Sequence, residues 1–274
     1  MTSRNLLSAI LIGILILNAT SLSAQYVENL DLSNNEDIYN LDFKRDAILL
    51  GGGLFTSILG TTLLGQQDPP TLAELNALDP NDVWSFDRTA TDNNSKTANT
   101  ISDIVLYSTF ALPTSLFLVK NARGEELQIL TMFAEMALIN TGITNIVKVS
   151  TSRLRPNTYN PLVSQEIKLR ATSNRSFFSG HTSNAASFSF FTASVLNDLY
   201  PNWKAGKYIT WGAAITIPAV VAYTRVGAGK HFPSDVIAGY LFGAAVGVII
   251  PKLHKSKGVD LQVGLGSIYL QKTL

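Results

Sequence analysis

An all-α fold is predicted, a six-helix core bundle that crosses a membrane and ends in a short β-like tail. Six apolar segments, roughly 47–65, 101–119, 127–147, 182–199, 208–224 and 235–250, approach the about 20 residues a bilayer requires. Charged residues are 15% of the 274-residue chain, against roughly 25% in soluble domains, and mean hydropathy is +0.18. Basic residues fall in alternate connections, as a membrane protein with one cytoplasmic face places them.

The elements follow in chain order. Arg4, the apolar run Leu6–Leu17 and the small residues around Ser21–Ala24 predict an export signal over 1–24. Leu22 makes the cleavage site imperfect, and the alternative is an uncleaved membrane helix. Residues 25–46 are a polar, acidic tail closing on Lys44-Arg45. The helical domain spans 47–253, with its motif core at 101–253. Its first segment carries Gly51-Gly52-Gly53, its second Pro113 and its third Glu135 and Asn140. The fourth is serine-rich and ends at Asn197-Asp198. Each of these is readable either as a membrane span or as a buried helix of a globular bundle. In the 254–274 tail, Val259, Leu261, Val263 and Leu265 alternate with polar residues or glycine, which is strand periodicity.

Lys44-Arg45, Lys120 with Arg123, Lys204 with Lys207, and Lys252, Lys255 and Lys257 share one side if all six segments span. The acidic 66–100 connection lies on the other side, so orientation by positive charge puts the motifs below on the outer, periplasmic face. A cleaved signal would leave residue 25 outside, whereas this topology wants it inside. Either the signal stays as an extra helix, or one segment does not span. Net charge is +1, which gives no bulk electrostatic basis for nucleic-acid binding. With no cysteine, disulfides and thiolate chemistry are excluded.

Three clusters carry the chemistry. Lys148 and Arg155-Pro156 form K-x6-R-P, Ser179-Gly180-His181 follows, and Arg225, His231 and Asp235 form R-x5-H-x3-D. Pro156 stops a helix, so Lys148 stands at a helix end and Arg155 on the loop leaving it. An arginine offers phosphate a planar fork, a lysine a mobile point charge. Ser179-Gly180-His181 opens a helix whose free N–H groups favour an anion. Gly180 permits close backbone approach, and His181 stands where it can protonate a leaving oxygen. The spacing of His231 and Asp235 lets the carboxylate reach one ring nitrogen and leaves the other nucleophilic. Arg225 is a third clamp. The plainer readings are a basic helix flank, a serine N-cap and a helix-capping ion pair. The three clusters together favour a phosphate-transfer site.

As a set, the clusters resemble the signature of the type 2 phosphatidic acid phosphatase family, which includes bacterial non-specific acid phosphatases and vanadium haloperoxidases. The resemblance covers roughly residues 101–253. It implies a helix bundle with the site at one end and a phosphohistidine route using neither metal nor cofactor. By that resemblance His231 is the nucleophile, Asp235 its orienting partner and His181 the general acid. Lys148, Arg155, Arg225, Ser179 and Gly180 bind phosphate. Phe178 replaces the family's usual proline before Ser-Gly-His, and Thr224 its usual serine before the third-motif arginine. The outer-face topology favours a lipid phosphate in the bacterial inner membrane as substrate. The rivals are a soluble periplasmic acid phosphatase, a vanadate-dependent haloperoxidase and a non-catalytic membrane protein.

Overall fold

The computed structural model describes residues 37–256, 259–264 and 267–272. The proposed signal segment and most of the polar tail lie outside them. Six long helices match the six apolar segments: α1 Phe43–Gly65, α2 Lys96–Thr109, α3 Glu126–Thr151, α4 Gly180–Leu199, α5 Lys204–Gly227 and α6 Pro233–His254. β1 Val259–Gly264 and β2 Ser267–Lys272 then pair antiparallel, with Val259 opposite Lys272. The helices start a few residues before the apolar runs do. First turns such as Phe43-Lys44-Arg45-Asp46 and Lys204–Lys207 are charged, so hydropathy alone places the boundary late.

Pro113 accounts for the end of α2. It has no N–H to give residue 109 and its ring crowds that carbonyl. The chain therefore leaves α2 at Thr109 and continues as short helical turns to Leu118. Among the described residues, five helical stretches are long and apolar enough to cross a membrane, and α4 is not one of them. Apolar side chains on the outward faces, among them Phe55, Ile58, Ile104, Ile209, Leu241 and Ile249, are exposed. An apolar belt of this extent matches a lipid-facing surface.

Helix α4 is the hub, packed against α2, α3, α5 and α6. Its serines are buried because the neighbouring backbones come very close. On α6, Gly239, Gly243 and Gly247 lie over the carbonyls of Ser179, Ser183 and Ser187. A Cβ on them would stand 2.5, 2.1 and 2.6 Å from those oxygens. Small residues spaced by four let two helices approach without side chains between them. The buried amide of Asn140 joins α3 to this core, accepting from Ser183 Oγ and donating to Asn184 Oδ1, both at 2.5 Å.

Gly243→Val is therefore expected to lower the melting temperature of detergent-solubilised protein sharply. Its side chain meets backbone, which cannot yield, and overpacking a tight core costs about 1–3 kcal/mol or more. Gly212→Ala on α5, where a Cβ meets nothing within 4 Å, is the control expected to melt unchanged.

Candidate active site

Each successive helix reverses direction, so the C-termini of α1, α3 and α5 and the N-termini of α2, α4 and α6 share one end of the bundle. All three motif clusters meet there. Lys148 is in the last turn of α3, Gly180 and His181 open α4, Arg225 is in the last turn of α5, and His231 precedes α6. The turn into His231 depends on Gly229, whose φ is +65° and whose Cβ would stand 2.0 Å from the Asn93 carbonyl oxygen. Only glycine fits that conformation and that approach.

His231 is 2% exposed. Its Nδ1 lies 2.7 Å from the Ser176 carbonyl oxygen. A carbonyl only accepts, so Nδ1 carries the proton and Nε2 keeps its lone pair. Burial, reinforced by the charges of Lys148, Arg155 and Arg225, holds the imidazole well below its usual pKa. The ring is thus neutral, with Nε2 available as a nucleophile.

Asp235 does not take the place the sequence suggested. Its Oδ2 is 3.8 Å from His231 Nδ1, while it accepts from Ser176 Oγ at 2.5 Å and from Phe232 N at 2.8 Å. The residues are four apart, but α6 begins only at Pro233, so His231 is not on the helix and the helical spacing does not apply. The carboxylate folds back over the first turn of α6, and the Ser176 carbonyl orients the imidazole in its stead.

Arg153 completes this buried frame. Its Nη1 donates to Asp235 Oδ1 at 2.5 Å and to Ser234 Oγ at 2.8 Å, and its Nη2 to Asp87 Oδ2 at 2.8 Å. Its guanidinium carbon lies 4.2 Å from the centre of the Phe232 ring. Asp87, 1% exposed, also accepts from Ser234 N at 2.9 Å and so caps α6. Arg153 stood inside the first motif with no role assigned. Asp87 comes from the α1–α2 connection, where nothing in the local sequence marks it.

The cations divide into committed and open ones. Lys148 Nζ donates to the carbonyls of Arg175 at 2.9 Å and Phe178 at 2.6 Å, which leaves one N–H for a ligand. Lys148 therefore braces the loop ahead of α4 as well as adding charge. Arg225 Nη1 reaches Asn99 Oδ1 at 3.1 Å, Ser102 Oγ at 3.2 Å and Asp103 Oδ1 at 3.4 Å. The buried Nε atoms of Arg155 and Arg225 have no hydrogen-bond partner among the described residues. Lys230, which sequence reasoning passed over, is half-buried beside the site. Burial and then the charges of Arg155 and Arg225 lower its ammonium to about 8.

Ser179 is a second correction. It is 0% exposed, and its Oγ caps α4, accepting from Thr182 N at 3.3 Å and Thr182 Oγ1 at 2.9 Å. Its own N–H donates to the Asp235 carbonyl at 3.0 Å. The N-cap reading therefore applies to Ser179, whose N–H is committed to the backbone. The N–H groups of Gly180 and His181, first in α4, have no acceptor within the helix. Phe178, at the position usually held by proline, is buried and packs on Phe242 with ring centroids 5.2 Å apart.

His181 lies at the open side of the site, 30% exposed at its side chain, with Nε2 2.9 Å from Asp103 Oδ1. Burial and then the Arg225 charge lower its imidazole to about 4, against the upward pull of Asp103. Asp103 sits one turn after Asn99, which donates to it at 2.9 Å. A polar Asn99–Ser102–Asp103 stripe on an apolar segment was the available signal for this partner. Asp103→Asn is expected to move the His181-dependent limb of the pH–rate profile to lower pH. With His181 as the expected general acid, kcat at neutral pH should fall about tenfold, part of the 10²–10⁴ such a group contributes. A pH series on wild type and variant checks both.

A helical bundle that brings two histidines and converging cations together at one end is the arrangement of a phosphate-handling protein. Residues 129–258, just under half of the chain, match the family model of the PAP2 superfamily, the family its motifs resemble. A lipid A 4'-phosphatase of Porphyromonas gingivalis is 33% identical over 78 residues, 28% of this chain and 29% of that protein. The chain thus matches under a third of that relative's length. A transmembrane PAP2-type phosphatidylglycerolphosphate phosphatase from Bacillus subtilis is similar over 72% of this chain and 93% of its own, at 21% identity and a TM-score of 0.43.

Proposed function

We propose that this protein is a membrane phosphatase that removes phosphate from a lipid phosphomonoester or diphosphate through a phosphohistidine, with no metal in the chemistry. The observation that carries this reading is the pairing of a neutral, buried His231 with guanidinium groups whose Nε atoms have no partner among the described residues. A phosphoryl group supplies the missing acceptors. Arg155 and Arg225 hold its equatorial oxygens, aided by the remaining N–H of Lys148 and the first N–H groups of α4.

His231 Nε2 attacks phosphorus in line as the P–O bond to the leaving group breaks, and His181 gives that oxygen its proton. In the empty site His181 has too low a pKa to hold this proton. A bound phosphoryl dianion offsets the clamp charges and raises it, so substrate binding takes up the proton the next step needs. Water then attacks the phosphohistidine with His181 as base, releasing phosphate and restoring His231.

The apolar belt favours a lipid substrate over a soluble ester. The domain reading of 47–253 as one catalytic helical unit, with an export or anchor segment before it, accompanies this function. Basic residues at the end opposite the site, including Lys44, Lys120, Lys204 and Lys252, support a cytoplasmic placement of that end and a periplasmic site. Lys230→Ala is expected to raise KM several-fold with little change in kcat, because a peripheral cation adds uniform binding.

The test is phosphate release from a panel of lipid and soluble phosphates in EDTA, below the melting temperature. Faster turnover of lipid phosphates with undiminished activity in EDTA is expected. Activity lost in EDTA while the protein stays folded would refute the metal-free route, and preference for soluble esters the lipid assignment.

A further inference from the structure

At the opposite end of the bundle, three titratable side chains from three helices meet away from solvent. Asp46 stands in the first turn of α1, Glu135 in the third turn of α3, and His254 ends α6. His254 lies about 33 Å along α6 from the phosphate site, at about 1.5 Å per residue over that helix. Its Nε2 is 3.2 Å from Asp46 Oδ1 and 3.3 Å from Glu135 Oε2. Glu135 and His254 are both 0% exposed, and Asp46 is 8%.

The tautomer decides what this cluster needs. His254 Nδ1 is 2.9 Å from the Ile250 carbonyl oxygen, which can only accept, so Nδ1 carries a proton and Nε2 points at the carboxylates. Nε2 and both Glu135 oxygens nonetheless make no hydrogen bond among the described residues. At 3.2 and 3.3 Å neither oxygen is in line for a hydrogen bond from Nε2, so a proton there would bond neither well. Two ligands each about 2.1 Å from a common ion stand roughly 3–3.5 Å apart, which fits both measured separations. Outer contacts of the kind that hold metal ligands are present too. The Ile250 carbonyl orients the imidazole, and Arg45 Nε donates to Asp46 Oδ1 at 2.7 Å.

We propose that Asp46, Glu135 and His254 form a buried site for a divalent transition-metal ion, Zn²⁺ foremost, that staples α1, α3 and α6 at the end of the bundle away from the phosphate site. One imidazole nitrogen with two carboxylates suits Zn²⁺, Fe²⁺ or Mn²⁺ and offers too few oxygens for Ca²⁺. The ion's charge offsets carboxylates that otherwise face a lone pair in a dry interior. Its role is structural. It locks the start of α1 to the end of α6 where Tyr39 and Lys255 form a β-bridge. The proposal stands apart from the phosphatase reading.

The full chain, purified in detergent without chelator, is equilibrated with Zn²⁺, freed of loose metal and analysed for metal content. About one ion per chain is expected in wild type and in His231→Ala, with loss in Glu135→Gln and His254→Gln. Co²⁺ loading should give a visible d–d spectrum in wild type that both site variants lack. Chelation should lower the melting temperature of wild type by several degrees and leave that of Glu135→Gln unchanged. Folded wild type that keeps no metal, or site variants with the same metal content and cobalt spectrum as wild type, would overturn the site. The cluster would then be a proton-bridged chain of Arg45, Asp46, His254 and Glu135. Wild type alone suffices for the metal count should a variant fail to fold, and phosphate release in each sample reports on the other end separately.

Discussion

His231→Ala is expected to lower kcat for phosphate release by about ten-thousand-fold or more, the scale on which removing the nucleophile of a catalytic unit acts. Melting temperature should change little by comparison. The ring's one defined hydrogen bond runs from Nδ1 to a backbone carbonyl, and its loss costs about 1 kcal/mol. The variant should also fail to trap a phosphorylated protein on acid quench, whereas His181→Ala, with the nucleophile intact, retains some trapping with substrates carrying a good leaving group. Phosphate release by His231→Ala at more than a hundredth of the wild-type rate would remove His231 from the nucleophile's role.

Asp235→Ala is expected to damage fold and activity together. The carboxylate is 0% exposed and accepts from Arg153, Ser176 Oγ and Phe232 N. Its removal leaves a partly buried guanidinium facing a void. Breaking one side of a buried pair costs about 3–5 kcal/mol, which corresponds to a fall in melting temperature on the order of 10 °C. Activity falls because Ser176, the carrier of the carbonyl that orients His231, loses its anchor. Ser176→Ala separates the two effects. It deletes the hydroxyl contact and keeps the carbonyl, so kcat should stay within about tenfold of wild type while stability drops modestly. Had Asp235 contacted the imidazole directly, Asp235→Asn would disable catalysis with the melting temperature preserved. The observed geometry predicts that both move.

The alternate placement of basic residues and the six apolar runs were legible along the chain because a bilayer constrains length and charge locally. The tail's strand periodicity was legible for a similar reason, since alternation is a property of neighbouring residues. Helix α4 was one of four ambiguous segments, and its serines marked burial against a glycine face on α6. That pairing joins residues about sixty positions apart, as Ser183 and Gly243 do. The metal-like cluster was likewise out of reach. Glu135 read as a blemish in an apolar run, and neither Asp46 nor His254 lies near it in sequence.

The sequence by itself determined which charged and imidazole groups stand at which helix ends. Lys148, Arg155, His181, Arg225 and His231 meet in one place because strict helix reversal carries alternate termini to the same end. Only the tertiary structure decided what each group does with its remaining hydrogen-bonding capacity. It gave His231 to the Ser176 carbonyl, Asp235 to Arg153 and the start of α6, Ser179 to the cap of α4, and two of the three N–H groups of Lys148 to the backbone. Spacing along a chain sets which residues share a helix end. Which acceptor a buried donor finds depends on loops packed from distant segments, Asp87 and Asp103 among them, and no local pattern encodes that distance.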